Sequence, residues 1–364
     1  MLPWSRQKAR AWHDTQPWIC GCNFLPSSAV NFLEMWHEDS FDRVTTSREL
    51  GWAAAVGFNA VRVNLHSLIW EHDRAGLLAR VEWFLDVASK QGIRTVLCLF
   101  DDCGFGGAEP VYGAQADPVP GVHNSRAVAS PGRATVMDRE AWPMLQRYVS
   151  DVLMQFGTDE RVLFWDLYNE PGNRMIFSAD GFDRYDEALM PHSLALMTAV
   201  FDWARATGPM QPLTVGAWMT PQVGSTEVPF QSEIDRRAVE LSDIVTFHAY
   251  CNASSAGRFI DHLEEHGRPI FCTEWMARPV DSRIEDQLPL FRERGVGCFQ
   301  WGFVKGRTQT HLPWPEALVV QHGGHTDRGT WFHDILYADG TPYDPTETAL
   351  IRKLTGASYP ATID

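Results

Sequence analysis

Two glutamates close two of the most apolar runs in the chain, and their neighbours are residue types that carry acid–base and nucleophilic chemistry. Val162-Leu-Phe-Trp-Asp-Leu-Tyr-Asn-Glu-Pro171 reads as a buried strand broken by its proline, which leaves Asn169 and Glu170 where a rigid ladder meets a loop. Pro269-Ile-Phe-Cys-Thr-Glu274-Trp275 reads the same way and ends on Glu274. A carboxyl beside aromatics that keep water away is placed to hold its proton and act as a general acid. A second carboxylate about 5 Å away would suit double displacement, with one group protonating the leaving oxygen and the other attacking an anomeric carbon. The attacking group must stay ionised, which calls for a cation and hydrogen-bond donors; Arg62 and Tyr250, at the ends of other strand-like runs, supply both types. Asn169 is suited to a sugar 2-hydroxyl and Trp301 to a flat platform beneath a sugar ring, while His248 is a further polar residue at a strand end.

Further candidates lie at the same strand ends. His66 shares a face with Arg62 by two-residue alternation. Asp101 and Asp102 end the third run and are suited to accept from sugar hydroxyls. Trp218, Trp275, Trp314 and Trp331 are four further indoles, of which two are expected to meet a ligand.

The elements that must position these groups alternate singly. Strand-like runs at 18–25, 60–65, 94–100, 162–168, 213–217, 243–250, 269–275 and 296–301 are separated by helical patterns at 42–57, 77–92, 138–156, 183–206, 255–266 and 282–294, with a terminal helix at 345–354. Single alternation argues for a parallel sheet, and eight strands argue for closure. The expected fold is α/β, a single (β/α)8 TIM barrel filling residues 1–364, with residues 1–17 as a lead-in. Long loops follow strands three (103–137), four and eight (302–343). Loops that long in a compact domain are usually functional, and these fall on the face where barrels carry their sites. No Gly-x-Gly-x-x-Gly follows the first strand, which speaks against a dinucleotide fold.

Composition narrows the partner. Thirty-one basic against 46 acidic residues give a net charge of −15, unsuited to nucleic acid or an anionic membrane. Fifteen tryptophans in 364 residues lean towards a neutral carbohydrate gripped by flat aromatic faces. No apolar run is long enough to span a bilayer. The thirteen histidines are read as forming no paired metal-ligand spacing, and Cys20-Gly-Cys22 lacks it too, so neither metal nor cofactor is expected; His311, His322 and His325 read as solvated loop residues. The seven cysteines are odd in number and several lie in apolar runs, as reduced buried thiols do. With no signal peptide visible, a cytoplasmic location is expected, or a secreted one if a signal has been removed. Nothing in the sequence bears on oligomeric state.

The order of these motifs (Arg on strand two, Asn-Glu-Pro on strand four, His-x-Tyr on strand six, Thr-Glu-Trp on strand seven, Trp on strand eight) resembles clan A glycoside hydrolases, most closely family 5, over residues 18–305. The resemblance implies a retaining β-glycosidase with Glu170 as acid/base and Glu274 as nucleophile, Arg62 and Tyr250 holding the nucleophile, His248 near the acid/base, and Trp301 lining the subsite of the reacting sugar. It also makes Trp301–Gly302 a candidate cis peptide. Where family members often carry a His at the end of strand three, this chain has Asp101-Asp102-Cys103. The expected substrate is a small β-linked oligosaccharide or glycoside attacked from one end. The rival readings are an endo-β-1,4-glycanase of the mannanase, cellulase or xylanase type, a non-catalytic carbohydrate-binding barrel, and a metal-dependent hydrolase.

Overall fold

Parallel strands covered on both faces need apolar residues at almost every position, and the strands here obey that rule. The computed structural model describes residues 2–327 and 329–357. In chain order the strands are β1 (Cys20–Asn23), β2 (Ala60–Asn64), β3 (Arg94–Cys98), β4 (Val162–Asp166), β5 (Met175–Ser178), β6 (Gly181–Arg184), β7 (Leu213–Thr214), β8 (Val245–His248), β9 (Ile270–Trp275) and β10 (Gly297–Gln300). All except β5 and β6 join one parallel sheet in the order β7-β4-β3-β2-β1-β10-β9-β8. A parallel bridge between Ala217 and Phe247 ties the segment after β7 to β8, so the sheet closes into the expected (β/α)8 barrel.

The helices follow from local chemistry. Arg43–Val56 begins where the Asp42 side chain accepts from Thr45 N, and ends at Gly57, whose φ of +104° suits glycine. Arg74–Lys90, Trp142–Phe156, Ala253–Glu264, Ile284–Glu293 and Pro345–Thr355 lie close to their expected spans. One expectation fails: the helix from 183 begins instead at Leu189, because Met175–Arg184 forms the antiparallel β5–β6 hairpin. Its two-residue turn, Ala179-Asp180, leads into Gly181 at φ +148°.

The lead-in is itself structured. Helix Arg6–His13 buries Ala9 and sets Trp4 and Trp12 against Ile19, Ala60, Val96, Leu163, Phe164, Ile244, Phe271 and Phe299, an apolar cluster inside the barrel. A barrel is thus a packed core with one chemical end. No helix among the described residues is long and apolar enough to cross a membrane. All seven cysteines are free and buried.

Candidate active site

Alternation along a strand decides which candidates face the barrel axis. Arg62 on β2 lies in the centre, with its side chain fully buried. Its Nε donates to Asp166 Oδ2 at 2.9 Å, Nη1 to Asn23 Oδ1 at 2.7 Å and to Glu274 Oε1 at 3.0 Å, and Nη2 to Asn169 Oδ1 at 2.6 Å. One guanidinium therefore fixes groups from β1, β4 and β9 and the segment after β4. Tyr250 donates its hydroxyl to Glu274 Oε2 at 2.8 Å, so both oxygens of that carboxyl are held by donors. His248 Nδ1 lies 2.7 Å from Glu170 Oε1 and 3.6 Å from Glu274 Oε2. One oxygen of each glutamate and a nitrogen of His248 lie within 4.8 Å of one another. Such spacing also admits a cation, but the Arg62 guanidinium already supplies positive charge there.

Burial controls the protonation of this pair, as Glu170 and Glu274 are only 8% and 5% exposed. Loss of water raises both carboxyls above their ordinary range. Two neighbouring carboxyls in that setting keep one proton between them to higher pH than either would alone. The donors decide where it rests. Glu274 has an arginine and a phenol, which favour the anion. Glu170 has the Asn173 amide on Oε2 at 2.6 Å and the Cys103 thiol on the same oxygen at 3.1 Å. That difference in donors favours Glu170 as the place for the proton, with His248 Nδ1 beside its other oxygen. That residue also takes a left-handed backbone, φ +42°, which non-glycine residues seldom adopt and which collects at functional positions.

Several expected groups face elsewhere. Trp275 follows Glu274 and so points to the opposite side of β9, where it is buried edge-on against Phe291, ring centroids 5.1 Å apart. It is core, not a platform. Asp101 and Asp102 divide in the same way. Asp101 lines the cavity and accepts from Asn64, Asn169 and the Cys103 amide. Asp102 turns away to accept from Tyr168, Ser193 and Gly172 N, which pins the loop carrying Glu170. His66 lies outside the cavity lining: its Nδ1 accepts from Leu68 N at a helix start and its Nε2 bonds Ala129 O. Trp331 stacks on Tyr343 at 4.6 Å and also stays outside. Trp218, Trp301 and Trp314 line the cavity. Among the described residues the cis peptide is Ser130–Pro131; Trp301–Gly302 is trans, and a Cβ on Gly302 would meet that of His333 at 2.5 Å.

The cavity, of about 250 Å³, has walls that sequence reasoning left blank. The loop after β3 is stitched to the loop after β10: Asn124 N donates to Thr308 O, Gln309 Nε2 to Val119 O and Val122 O, and His123 Nδ1 to Leu312 O. Arg307 adds ion pairs to Asp117 and Glu34. Val122, Phe177 and Leu318 form an apolar roof with Phe105, whose ring stacks on Phe177 at 4.4 Å. His322 is a correction: it is half-buried, its Nδ1 against Leu318 O, and it lines the cavity, whereas His325 is exposed as expected. His311 is likewise half-buried, near Asp334. His262 and His266 stand four residues apart, a spacing passed over in the sequence, but no third metal ligand joins them among the described residues.

A closed parallel barrel with two buried carboxyls converging at the carboxyl ends of its strands, and a walled cavity above them, defines a barrel glycoside hydrolase. The chain belongs to glycosyl hydrolase family 5, of clan A: the family described as Cellulase (glycosyl hydrolase family 5) matches residues 22–305. No curated protein sequence matches the chain. Among solved structures it is similar to GH5_18 from Streptomyces cattleya in complex with Manβ1-4GlcNAc (TM-score 0.60, 13% identity, 93% of this chain and 80% of that one). It is also similar to an exo-β-1,4-mannosidase from Opitutaceae bacterium strain TAV5 (0.58, 15%, 95% and 61%) and to a β-glucosidase designated 1317 (0.58, 14%, 94% and 99%). At these identities the likeness is one of fold.

Proposed function

We propose that this protein hydrolyses β-glycosidic bonds with retention, removing one sugar from the end of a small β-linked oligosaccharide or glycoside. The observation that carries the mechanism is the pair of carboxyls, with an oxygen of each inside 4.8 Å, a separation suited to direct attack and short of the roughly 6.5–9.5 Å with which inverting pairs make room for a water beside the sugar. Glu274, held ionised by Arg62 and Tyr250, attacks the anomeric carbon as the bond to the leaving oxygen breaks. Glu170 gives that oxygen its proton. Glu170, now a carboxylate, then takes a proton from water as the water oxygen displaces Glu274. Asn169 is the partner of the sugar 2-hydroxyl and Trp301 the platform under the ring. No metal enters the scheme.

End-on attack is supported by the bonded loops 103–137 and 302–343, which close one side of the groove. Mid-chain cleavage needs an opening at both ends. A purely binding barrel would have no use for a nucleophile held by two donors. Because the similar structures include a mannoside complex and an exo-mannosidase, β-mannosides stand first among the sugars to try. The test is a panel of aryl β-mannosides, glucosides, xylosides and galactosides with the matching disaccharides, with the product anomer followed by proton NMR. Turnover of one monosaccharide glycoside with β-product formed first is expected. Activity confined to longer chains contradicts end-on attack, and an α-product contradicts retention.

A further inference from the structure

The acid/base reading of Glu170 leaves one close neighbour without a role. Cys103, two residues beyond Asp101 at the end of the third strand, is buried and lines the cavity. Its thiol reaches Glu170 Oε2 at 3.1 Å. Its sulfur also accepts from Asn169 Nδ2 and Asn173 Nδ2, each at 3.5 Å, and its backbone N–H donates to Asp101 Oδ1 at 2.8 Å. Two amides point at the sulfur, and the S–H is directed to carboxyl oxygens, with Glu170 Oε2 the nearest side-chain acceptor. The thiol is thus held by three neighbours, Glu170, Asn169 and Asn173.

We propose that Cys103 is a positioning residue which, as a weak hydrogen-bond donor to Oε2, holds the Glu170 carboxyl in place and keeps it protonated to higher pH than a stronger donor would. A carboxylate gains more from a donor than a neutral acid does, so a strong O–H at this point lowers the pKa of the acid, and a soft S–H lowers it less. The thiol itself stays protonated, because burial and the acidic groups around it push its own ionisation far up. Both donors to Oε2, Cys103 and Asn173, leave Oε1 to carry the proton, on the side of His248. The other charged or titratable groups that act on Glu170 are Arg62 from β2, Asp101 beyond β3, Asp235 from helix Glu233–Leu241, Tyr250 beyond β8, Glu274 from β9 and His322 from the last loop. Of these, Asp101 and Tyr250 also feel the Cys103 side chain, and none is itself replaced, so the Ser and Ala variants compared together separate loss of the thiol from the strength of the donor.

The proposal rests on Glu170 being the acid, and the experiment separates the two claims. Glu170→Ala is compared first, by kcat/KM, on an activated aryl glycoside and on the matching disaccharide; a loss much larger on the disaccharide establishes the acid, and equal losses remove the foundation. The pH profile of kcat/KM for the disaccharide is then measured for wild type, Cys103→Ser and Cys103→Ala, with thermal melting to confirm folding. The alkaline limb, where the acid loses its proton, is expected to move down by roughly half a pH unit in C103S and up in C103A. On the activated glycoside, whose leaving group needs no proton in the first step, kcat/KM is expected to stay within about threefold in both variants. Alkaline limbs that coincide in all three proteins, or that move in the same direction in both variants, overturn the assignment. So does a loss in C103A that is equal on both substrates, because that is the mark of a structural residue.

Discussion

Arg62 and Arg278 are both buried guanidinium groups, and their surroundings differ in one respect that separates chemistry from architecture. Arg278 meets a single carboxylate, Glu347, through Nε at 2.7 Å and Nη2 at 2.6 Å, and gives its remaining donors to Trp331 O and Asp334 O. It lies over the Tyr343 ring at 4.8 Å. One cation meets one anion and the bidentate fork is complete, so the cluster clamps the loop after β10 to the terminal helix. Arg62 instead meets two carboxylates, Asp166 and Glu274, with Glu170 close by. Glu274 also opens onto the cavity. Acid exceeds base there, and burial raises the carboxyls in consequence. A balanced cluster stores stability; an unbalanced one stores reactivity.

Removing one acid from the unbalanced cluster should have the largest effect. Glu274→Gln is expected to cut turnover roughly 10⁴-fold or more, as loss of a nucleophile does. Its stability should run the other way. The folded-state titration of the Glu170–Glu274 pair is raised above the unfolded one, so the pair's favourable contribution is present at acid pH and is lost as pH climbs past the ordinary carboxyl range and the shared proton leaves. The variant lacks that loss. Its melting temperature should match or exceed wild type at pH 8, with the gap closing towards pH 4. A variant less stable at pH 8 than at pH 4, relative to wild type, would mean that Glu274 is a structural ion pair.

The balanced cluster should respond in the opposite sense. Arg278→Met strands Glu347 as a buried charge and should cost about 3–5 kcal/mol of stability, while turnover per folded molecule stays close to wild type. Arg278→Met with Glu347→Leu should recover most of that stability, because an apolar pair of similar size is tolerated where a lone charge is not. Denaturant melts and active-site titration check both. If the single variant loses turnover rather than stability, the division between the two clusters fails.

How far the sequence carried these distinctions depends on which residues had a periodic element around them. The eight barrel strands were legible because parallel strands are apolar on both faces, and Arg62, Glu170, His248, Tyr250 and Glu274 were legible because each closes or follows such a run. Adjacent candidates were harder. Glu274 and Trp275, like Asp101 and Asp102, cannot both face the axis, and the two-residue alternation already contained that answer. The walls were not legible, since residues such as Asn124, His322 and Thr308 lie in segments without a period, where contacts between distant loops decide placement. The helix Arg6–His13 and the hairpin Met175–Arg184 were missed for want of a strong apolar pattern, their ordering coming from tertiary packing. Cys103 escaped notice because a cysteine in an apolar setting reads as core; only its place beside two aspartates at a strand end marked it.

The most direct test of the central claim is to trap the bond that the unbalanced cluster is built to make. A 2-deoxy-2-fluoro β-glycoside with a good leaving group slows both chemical steps, the second more than the first, so a glycosyl-enzyme accumulates if one forms. Incubation with the fluoro sugar of the preferred glycone, then intact mass and peptide mapping, should show one added fluoroglycosyl group on Glu274. Label on another residue, or hydrolysis of the parent glycoside with inversion and no label, would contradict the account.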